Sequence, residues 1–363
     1  MQLKELVAAM EQLAPTRHAE GWDNVGLLAG DPEQLVCRAL LTIDYTDEVA
    51  EEGRQLGCDV VIAYHPPIFQ AIKRIAAGTA LHDALRRGVA IYSPHTALDV
   101  AAGGTNDVLA DAVGMVDRRP LRVSSGKPTH VKLVTFVPAR DVDRLSSVLF
   151  AAGAGRIGNY SSCSFRTPGT GTFLGGEGTN PAIGKAGRLE TVEEVRLEMV
   201  VPVAGIEAVV SALRANHPYE EPAFDLVQLA ALPEGVGMGR IGGLPDGTTR
   251  LSLIGRVKAE LGLTHLLVAG STDAPARRVA VGAGACGDLL DDAIAQGADV
   301  YVTGEMRHHD ALKAARAGMT VVCTLHSNSE RATLGRLARR IAELLPGLDV
   351  RVSQRDRDPF AIA

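Results

Sequence analysis

Two distant segments of the chain share one pattern. The first reads RALLTIDYTDEVAEEGRQLGCDVVIAYHPP at 38–67, and the second reads RRVAVGAGACGDLLDDAIAQGADVYVTGEM at 277–306. Each predicts a strand, an acidic helix, a GCD or GAD turn and a strongly apolar strand. Each then continues through a helix into another strand, GVAIYSPH at 88–95 and GMTVVCTLH at 318–326. Alternating short strands and helices indicate βαβ units, so we expect two related α/β lobes with mostly parallel sheets.

The middle of the chain has a different pattern. HVKLVTFVPARDVDRLSSVLFAAGAG at 130–155 predicts a strand and a helix, and the segment 193–229 predicts a strand, a helix and a strand. This order is typical of an inserted, ferredoxin-like α+β domain. The Gly/Ser/Thr-rich stretch between them, 158–184, is too long and polar for a core element, so we expect a structured functional loop. The predicted first lobe, inserted domain and second lobe cover 1–123, 128–245 and 248–363, the two lobes forming one discontinuous domain.

Composition and charge exclude several classes of protein. A formal net charge of −6 over 363 residues gives no electrostatic basis for general nucleic-acid binding. The N-terminal MQLKELVAAMEQL predicts an amphipathic helix and not a signal peptide, and no apolar run is long enough to span a membrane. The five cysteines are scattered without a CxxC pair, which predicts reduced thiols and a cytoplasmic location.

Polar side chains follow three predicted strands, where ligands bind in open α/β sheets. They are Tyr64 with His65, His95 with Asp99, and His326 with Glu330. In the last two pairs a carboxylate follows a histidine by four positions, which places both on one face of a helix. Such a pair suits a divalent metal with mixed nitrogen and oxygen ligands. Because the pattern occurs in both repeats, we expect the two pairs to face one cleft.

Each of these features also has a simpler interpretation. A single histidine–carboxylate pair usually braces the start of a helix, where the helix dipole favours carboxylates such as Asp99 and Glu330. His65 alone would fit a hydrogen bond to a backbone carbonyl, with the two prolines after it merely ending the strand. Taken separately, each feature favours the simpler interpretation. Taken together, at strand ends of duplicated lobes, they favour a metal site.

Other polar or aromatic residues have less specific surroundings. Glu305 and His309 of VTGEMRHHDA follow another strand and would either orient metal ligands or form a solvated helix start. Trp22, the only tryptophan, is predicted to be a packing anchor beside a turn. His217 and the glutamates of HPYEEP at 217–222 would form either a second ligand cluster or a structural turn that orders an oligomer contact. We favour the turn.

Five motifs resemble a known family. GWDNVGLLAG, YHPPIF, SPHTALDVAAGGTND, VTGEMRHHDA and LHSNSE occur in the same order in the NGG-interacting factor three-like family, whose members are also called GTP cyclohydrolase 1 type 2 homologues. The resemblance covers both lobes. It implies two α/β lobes, a dinuclear divalent-metal site between them and a toroidal homohexamer. AGAGRIGNYSSCSF and NHPYEEPAFD are similar to the insertion of some members, and HPYEEP resembles CutA/PII-type domains.

The resemblance also implies metal ligands. These are His65, Asp99, His326 and Glu330, with the carboxylates bridging two ions. Many members have a histidine at the position of Tyr64, whose phenol has a reference pKa of ~10 and is a poorer ligand to zinc or manganese. Trivalent iron accepts a phenolate, so the number of ions, one or two, and their identity, Zn, Fe or Mn, both depend on this position.

The family implies a function as well. We expect a metal-dependent hydrolase of the GTP cyclohydrolase kind, acting on a nucleotide-like substrate through metal-activated water. His95 would shuttle a proton or hydrogen-bond the metal ligands. The alternatives are a metal carrier or sensor and a regulatory scaffold without turnover.

Overall fold

The computed structural model describes three stretches of the chain, residues 1–125, 129–230 and 233–361. They form two compact units. The two-lobed unit comprises Met1–Ser124 and Pro233–Ala363, and the inserted unit comprises Ser125–Leu232. Among the described residues, no helix combines the length and apolar character needed to cross a membrane.

The first lobe of the two-lobed unit is built on a five-stranded sheet. Its strands are β1 (Gly26–Ala29), β2 (Arg38–Thr42), β3 (Val60–Ala63), β4 (Ala90–Ser93) and β15 (Asp349–Val352). They lie in the order β1-β4-β3-β2-β15, all parallel except β1, which is antiparallel to β4. The apolar runs of β3 and β4 are buried along their whole length, as expected of parallel strands covered on both faces.

Helices connect these strands. They are α1 (Leu3–Leu13), α2 (Asp47–Leu56), α3 (Ala80–Arg87), α4 (His95–Val100) and α5 (Thr105–Ala112), with a short 3-10 turn at Thr16–His18. The predicted acidic helix is α2, which begins where the Thr46 side chain accepts a hydrogen bond from the Val49 N–H. It ends at Gly57, whose φ of 67° is the left-handed conformation that glycine adopts without a Cβ penalty.

The second lobe repeats this arrangement on a six-stranded sheet. Its strands are β5 (Val116–Ser125), β10 (Pro233–Gly243), β11 (Leu267–Ala269), β12 (Arg278–Gly282), β13 (Val300–Thr303) and β14 (Thr320–Cys323). They lie in the order β11-β14-β13-β12-β10-β5, with β12, β13 and β14 parallel. Its helices are α8 (Arg250–Leu261), α9 (Leu290–Ala295), α10 (His308–Arg316) and α11 (Asn328–Leu344), with a 3-10 turn at Gly287–Leu289.

The two lobes exchange elements. Strand β5 comes from the first half of the chain but belongs to the second sheet, and β15 comes from the second half but pairs with β2. Helix α11 also contributes Leu334, Leu337 and Ile341 to the core that contains Leu3 and Leu6 of α1. The halves of the chain therefore depend on each other for complete sheets and a complete core.

A buried ion pair adds a further connection. The Arg240 guanidinium on β10 donates to Asp107 on α5, with 2.7 Å between Nε and Oδ1, and both side chains are buried. Arg240 also donates to the backbone carbonyls of Gly237 and Ala101. Burial alone would raise the pKa of Asp107, but the hydrogen bonds and charge of Arg240 outweigh it and hold this pKa below its usual value.

The inserted unit is a four-stranded antiparallel sheet with two helices. Its elements are β6 (His130–Pro138), α6 (Val142–Ala151), β7 (Phe165–Leu174), β8 (Leu189–Pro202), α7 (Ile206–Asn216) and β9 (Phe224–Gln228), with 3-10 turns at Ala139–Asp141 and Val203–Gly205. The strands lie in the order β7-β8-β6-β9. One sheet face and both helices enclose a core that includes Leu133, Leu145, Leu197 and Leu213.

The Gly/Ser/Thr-rich stretch at 158–184 differs from the expectation of a loop. Its residues Phe165–Leu174 form β7, which pairs with β8 over its whole length. Most of this strand is exposed at a sheet edge, so it lacks the apolar alternation that would have revealed it. A cavity of about 580 Å³ lies within the inserted unit between this hairpin, its connecting loop and the turn that includes Tyr219.

The HPYEEP segment forms a structural turn. His217 is buried, its Nε2 lies 3.1 Å from the Phe136 carbonyl oxygen, and its Nδ1 accepts a hydrogen bond from the Tyr219 N–H. Both ring nitrogens therefore contact the backbone, which favours the turn over a ligand cluster.

We expect Arg240→Met to lower the free energy of unfolding by about 3–5 kcal/mol, because it leaves the Asp107 carboxylate buried without its partner. Denaturant unfolding of both proteins at neutral pH measures this difference. Arg351→Ala, which removes an exposed ion pair with Asp349, is the matched control and should change stability little.

The same pair predicts a pH dependence. Since folding lowers the pKa of Asp107, its stabilisation is present above the unfolded pKa of ~4 and is lost as the pH falls through the folded value. The stability difference between wild type and Asp107→Asn should therefore shrink as the pH falls below ~4. A difference that stays constant with pH would contradict this assignment.

Candidate functional site

Polar side chains from both lobes converge at the carboxyl ends of the strands. His65 follows β3, and its backbone N–H donates to the Ile43 carbonyl, which extends the parallel ladder beyond the strand. His95 starts α4 directly after β4, and His326 lies between β14 and α11. Glu330 lies in the first turn of α11. The topology therefore brings together residues that are 265 positions apart in the chain.

Three of these side chains form a tight cluster. The ligand atoms of His65, His326 and Glu330 all lie within 4.8 Å of one another. One Glu330 oxygen is 3.2 Å from His65 Nε2, and the other is 3.4 Å from His326 Nε2. His65 Nε2 and Glu330 Oε2 are buried but not aligned for a hydrogen bond, and neither has another partner among the described residues. This arrangement is a candidate metal-binding cluster.

A carboxylate contacts the Nδ1 atom of each of the two cluster histidines and orients its ring. Asp44 lies 2.9 Å from His65 Nδ1, and Glu305 lies 2.9 Å from His326 Nδ1. Because a carboxylate accepts a hydrogen bond, each pair places a proton on Nδ1 and directs Nε2 into the cluster. Burial alone would lower the pKa of His65, but Asp44 and Glu330 outweigh it and raise this pKa to about 10.

Asp99 and Tyr64 form a separate buried pair beside the cluster. The Tyr64 hydroxyl donates a hydrogen bond to Asp99 Oδ1. Burial, strengthened by the Glu330 charge, raises the pKa of Asp99 to about 6. Burial and the Asp99 charge together raise the pKa of Tyr64 well above its usual value. Asp99 is therefore hydrogen-bonded to the neutral phenol of Tyr64 and is not one of the three residues of the cluster.

His95 occupies the side of the site next to Trp22. Its Nδ1 lies 2.8 Å from the buried Asp23 Oδ1, and its ring centroid lies 5.4 Å from that of His65. His95 has a φ of 26° and Leu325 a φ of 71°, two of the four positive values among described non-glycine residues. Backbone strain of this kind often occurs at functional sites.

Trp22 is not the predicted packing anchor. Its side chain is 60% exposed and makes edge contacts with His95 and Phe69.

Glu305 contacts His326, which belongs to the cluster. His309 is instead exposed on α10, with its ring against that of His308. The roles of Glu305 and His309 stay predictions.

Sequence reasoning missed several residues that support the site. Asp44 follows the end of β2, so the strand-end rule that selected His65 would also have selected it. Asn106 donates to the Asp99 carbonyl and accepts from the Ala283 N–H, which joins α5 to the end of β12. Gly284 lies against the cluster and has no side chain by which a pattern could reveal it.

An open cavity of about 480 Å³ lies next to Glu305. Its lining residues are Ala285, Gly287, Asp288, Glu305, Met306 and Arg307. Glu305, which lines this cavity, also contacts His326 Nδ1, so the cavity lies beside one histidine of the cluster.

Comparisons with known proteins agree with this architecture. A curated relative from Halalkalibacterium halodurans, named GTP cyclohydrolase 1 type 2 homolog, is 37% identical over 98% of this chain and 97% of its own. A relative of the same name from Bacillus subtilis is 34% identical over 98% of this chain and 97% of its own. The crystal structure of a Bacillus cereus protein related to NIF3 is 35% identical, with a TM-score of 0.69 and coverage of 100% of this chain and 99% of that one. The sequence profile of Duf34/NIF3 (NGG1p interacting factor 3) matches residues 1–359. The chain belongs to the Duf34/NIF3 family.

Proposed function

We propose that this chain is a metal-dependent hydrolase that acts on a nucleotide-like substrate. The observation that carries the proposal is the buried Glu330 carboxylate between two histidine nitrogens to which it is not hydrogen-bonded. The curated relatives' name supports a nucleotide such as GTP as the substrate.

The cluster fits a divalent cation by its spacing. One ligand atom each from His65, His326 and Glu330 lies within 4.8 Å of the other two, which is close enough for one ion to contact all three. Two imidazoles and a carboxylate suit zinc, iron or manganese, and three protein ligands leave a position open for water or substrate.

Gly284 also supports a bound ion. A Cβ at this position would lie 2.7 Å from Glu330 Oε1 and 3.4 Å from His326 Nε2. Its φ of +69° is a conformation that glycine adopts readily. Because glycine has no Cβ, the space next to Glu330 Oε1 and His326 Nε2 stays free.

His95 is suited to move the proton of the reaction. When bound, a divalent cation supplies Lewis-acid chemistry and lowers the pKa of water to near neutrality. Asp23 holds the proton of neutral His95 on Nδ1, which leaves Nε2 to accept a proton from the attacking water. His95 would then return that proton to the leaving group.

Tyr64 and Asp99 determine whether a second ion binds. The resemblance assigns Asp99 as a bridging ligand, but its Oδ1 accepts the Tyr64 hydroxyl. A cation that used this oxygen would have to displace a neutral, buried phenol. We therefore propose one strongly held ion at His65, His326 and Glu330 and none, or a weakly held one, at Asp99.

The expectation of a single ion favours a second candidate, a metal carrier, sensor or regulatory scaffold without turnover. His326 and the Glu305 carboxylate that contacts it are both partly exposed, so a site with three ligands would release its ion more easily than a closed dinuclear site. A carrier would exchange its ion quickly with a chelator, whereas a hydrolase would retain it through turnover.

The family resemblance motivates three wider proposals. The assembly is a toroidal homohexamer. The βαββαβ order of the inserted unit supports a ferredoxin-like, CutA/PII-like domain. The five cysteines, all free, support a cytoplasmic location.

Gly284→Ala should reduce metal affinity by about 10- to 100-fold, the loss typical when the surroundings of metal ligands are disturbed. Isothermal titration with zinc measures this change. Gly262→Ala is the matched control, because Gly262 has a similar φ of +65° but open space around its Cβ position. Equal zinc affinities in the two variants would contradict a role for the space over the cluster at Gly284.

Tyr64→His should increase the number of bound ions, because it replaces the phenol that occupies Asp99 with a better ligand. We expect one equivalent of metal in wild type and two in the variant, measured by elemental analysis after removal of excess metal. Two equivalents in both proteins would contradict the idea that Tyr64 limits the site to one ion.

Metal-loaded wild type should hydrolyse a member of a nucleotide panel, detected by chromatography of the products. His95→Gln should lower kcat by about 10²–10⁴-fold with the metal content unchanged, as expected for loss of a general base. His265→Gln, at an exposed histidine, is the control. If fully loaded wild type converts no nucleotide, the hydrolase proposal fails and the carrier is favoured.

A further inference from the structure

Two exposed aromatic rings lie in contact at the edge of the site. Trp22 is 60% exposed and Phe69 is 46% exposed. Their ring centroids are 6.0 Å apart at an interplanar angle of 62°. Single exposed apolar residues are common on protein surfaces, but two touching aromatic rings give a larger apolar patch of defined shape.

Hydrogen bonds fix the residues next to both rings. Asp23, directly after Trp22, has a fully buried side chain that contacts His95 Nδ1 and accepts the Thr96 backbone N–H. The Asn24 amide donates to the Ile68 carbonyl, directly before Phe69, at 2.5 Å. Each exposed ring is therefore next in sequence to a residue fixed by hydrogen bonds. Such anchoring positions the rings before any ligand arrives, which lowers the entropy cost of binding.

The His95 ring links the aromatic pair to the metal cluster. Trp22 lies 6.1 Å from His95, and His95 lies 5.4 Å from His65, between ring centroids. The Asp23 carboxylate and the Asn24 amide N–H are used in internal hydrogen bonds. The exposed faces of the two rings offer a ligand a surface for stacking.

We propose that Trp22 and Phe69 form a binding subsite for a planar heteroaromatic ring, such as a purine base, on the substrate. This inference rests on the proposed function, because it places the ring of the substrate beside His95 and its reactive bond toward His65. Stacking on aromatic side chains is strong and tolerates different bases, since every base has a π-face. The subsite therefore binds purine nucleosides with little discrimination between adenosine and guanosine.

The only tryptophan of the chain reports on this subsite directly. Guanosine and adenosine, titrated into metal-loaded protein, should quench the fluorescence of Trp22 saturably and with similar affinities. Excitation at the red edge of the tryptophan band avoids absorption by the nucleosides. Ribose, which lacks the ring, should cause no change. Equal responses to ribose and guanosine would overturn the proposal.

Substitutions test the two rings separately. Phe69→Leu retains the reporter and should weaken nucleoside binding by at least about fivefold, within the range for loss of one stacking ring. Trp22→Leu should weaken it about 5- to 150-fold in calorimetry, whereas Trp22→Phe should retain most of the affinity. Tyr160→Leu removes an exposed aromatic ring in the inserted unit and should have no effect. Thermal unfolding confirms that each variant is folded.

Two further measurements separate this subsite from the metal site. Glu330→Gln should lose metal but keep nucleoside quenching, and Trp22→Leu should keep metal but bind nucleosides more weakly. Quenching in wild type without any turnover would leave the subsite standing and reject the hydrolase. Turnover with an unchanged KM in Trp22→Leu would reject the subsite and leave the hydrolase standing. Loss of quenching together with a change in sedimentation of Phe69→Leu would reassign the pair to a contact between copies.

Discussion

The site depends on a buried carboxylate with no proton donor aligned to it. Glu330 is almost completely buried and lies between the Nε2 atoms of His65 and His326, which come from different lobes. A buried charge is costly unless it is paired or coordinates a cation. A cation held between the two histidines would compensate this charge.

The fold holds this carboxylate in place through contacts that cross between the lobes. Helix α11 carries Glu330 and packs into the core of the first lobe, while the strand before it, β14, belongs to the second. Asn106 joins the end of β12 to the Asp99 backbone, and Ser329 accepts the Gly284 N–H while donating to the His326 carbonyl. The exchange of β5 and β15 makes the lobes difficult to separate. Ligands from both halves of the chain therefore keep a fixed geometry, which metal binding requires.

Much of this arrangement is predictable from the sequence, for a specific reason. Carboxyl ends of parallel strands meet at one edge, so the strand-end pattern predicts neighbouring histidines. The ring centroid of His65 lies 5.4 Å from that of His95 and 5.3 Å from that of His326. The sequence carries no signal for the exchanged strand β15, because pairing partners are set by tertiary packing and not by local pattern. Edge strand β7 has the pattern of a loop, since exposure removes apolar alternation. The pattern around Trp22 does not distinguish a packed ring from an exposed one, because an isolated tryptophan in a loop carries no signal of direction. Gly284 has no signal either, because its contribution is the absence of a side chain.

Anomalous diffraction from crystals soaked in zinc or manganese tests the central claim most directly. We expect one strong peak per chain within about 2.0–2.2 Å of His65 Nε2, His326 Nε2 and a Glu330 oxygen. Near Asp99, where Tyr64 donates its hydroxyl, we expect a much weaker peak or none. Ordered crystals with no peak between the two histidines, or with their strongest peak elsewhere in the chain, would contradict the assignment of this cluster as the metal site.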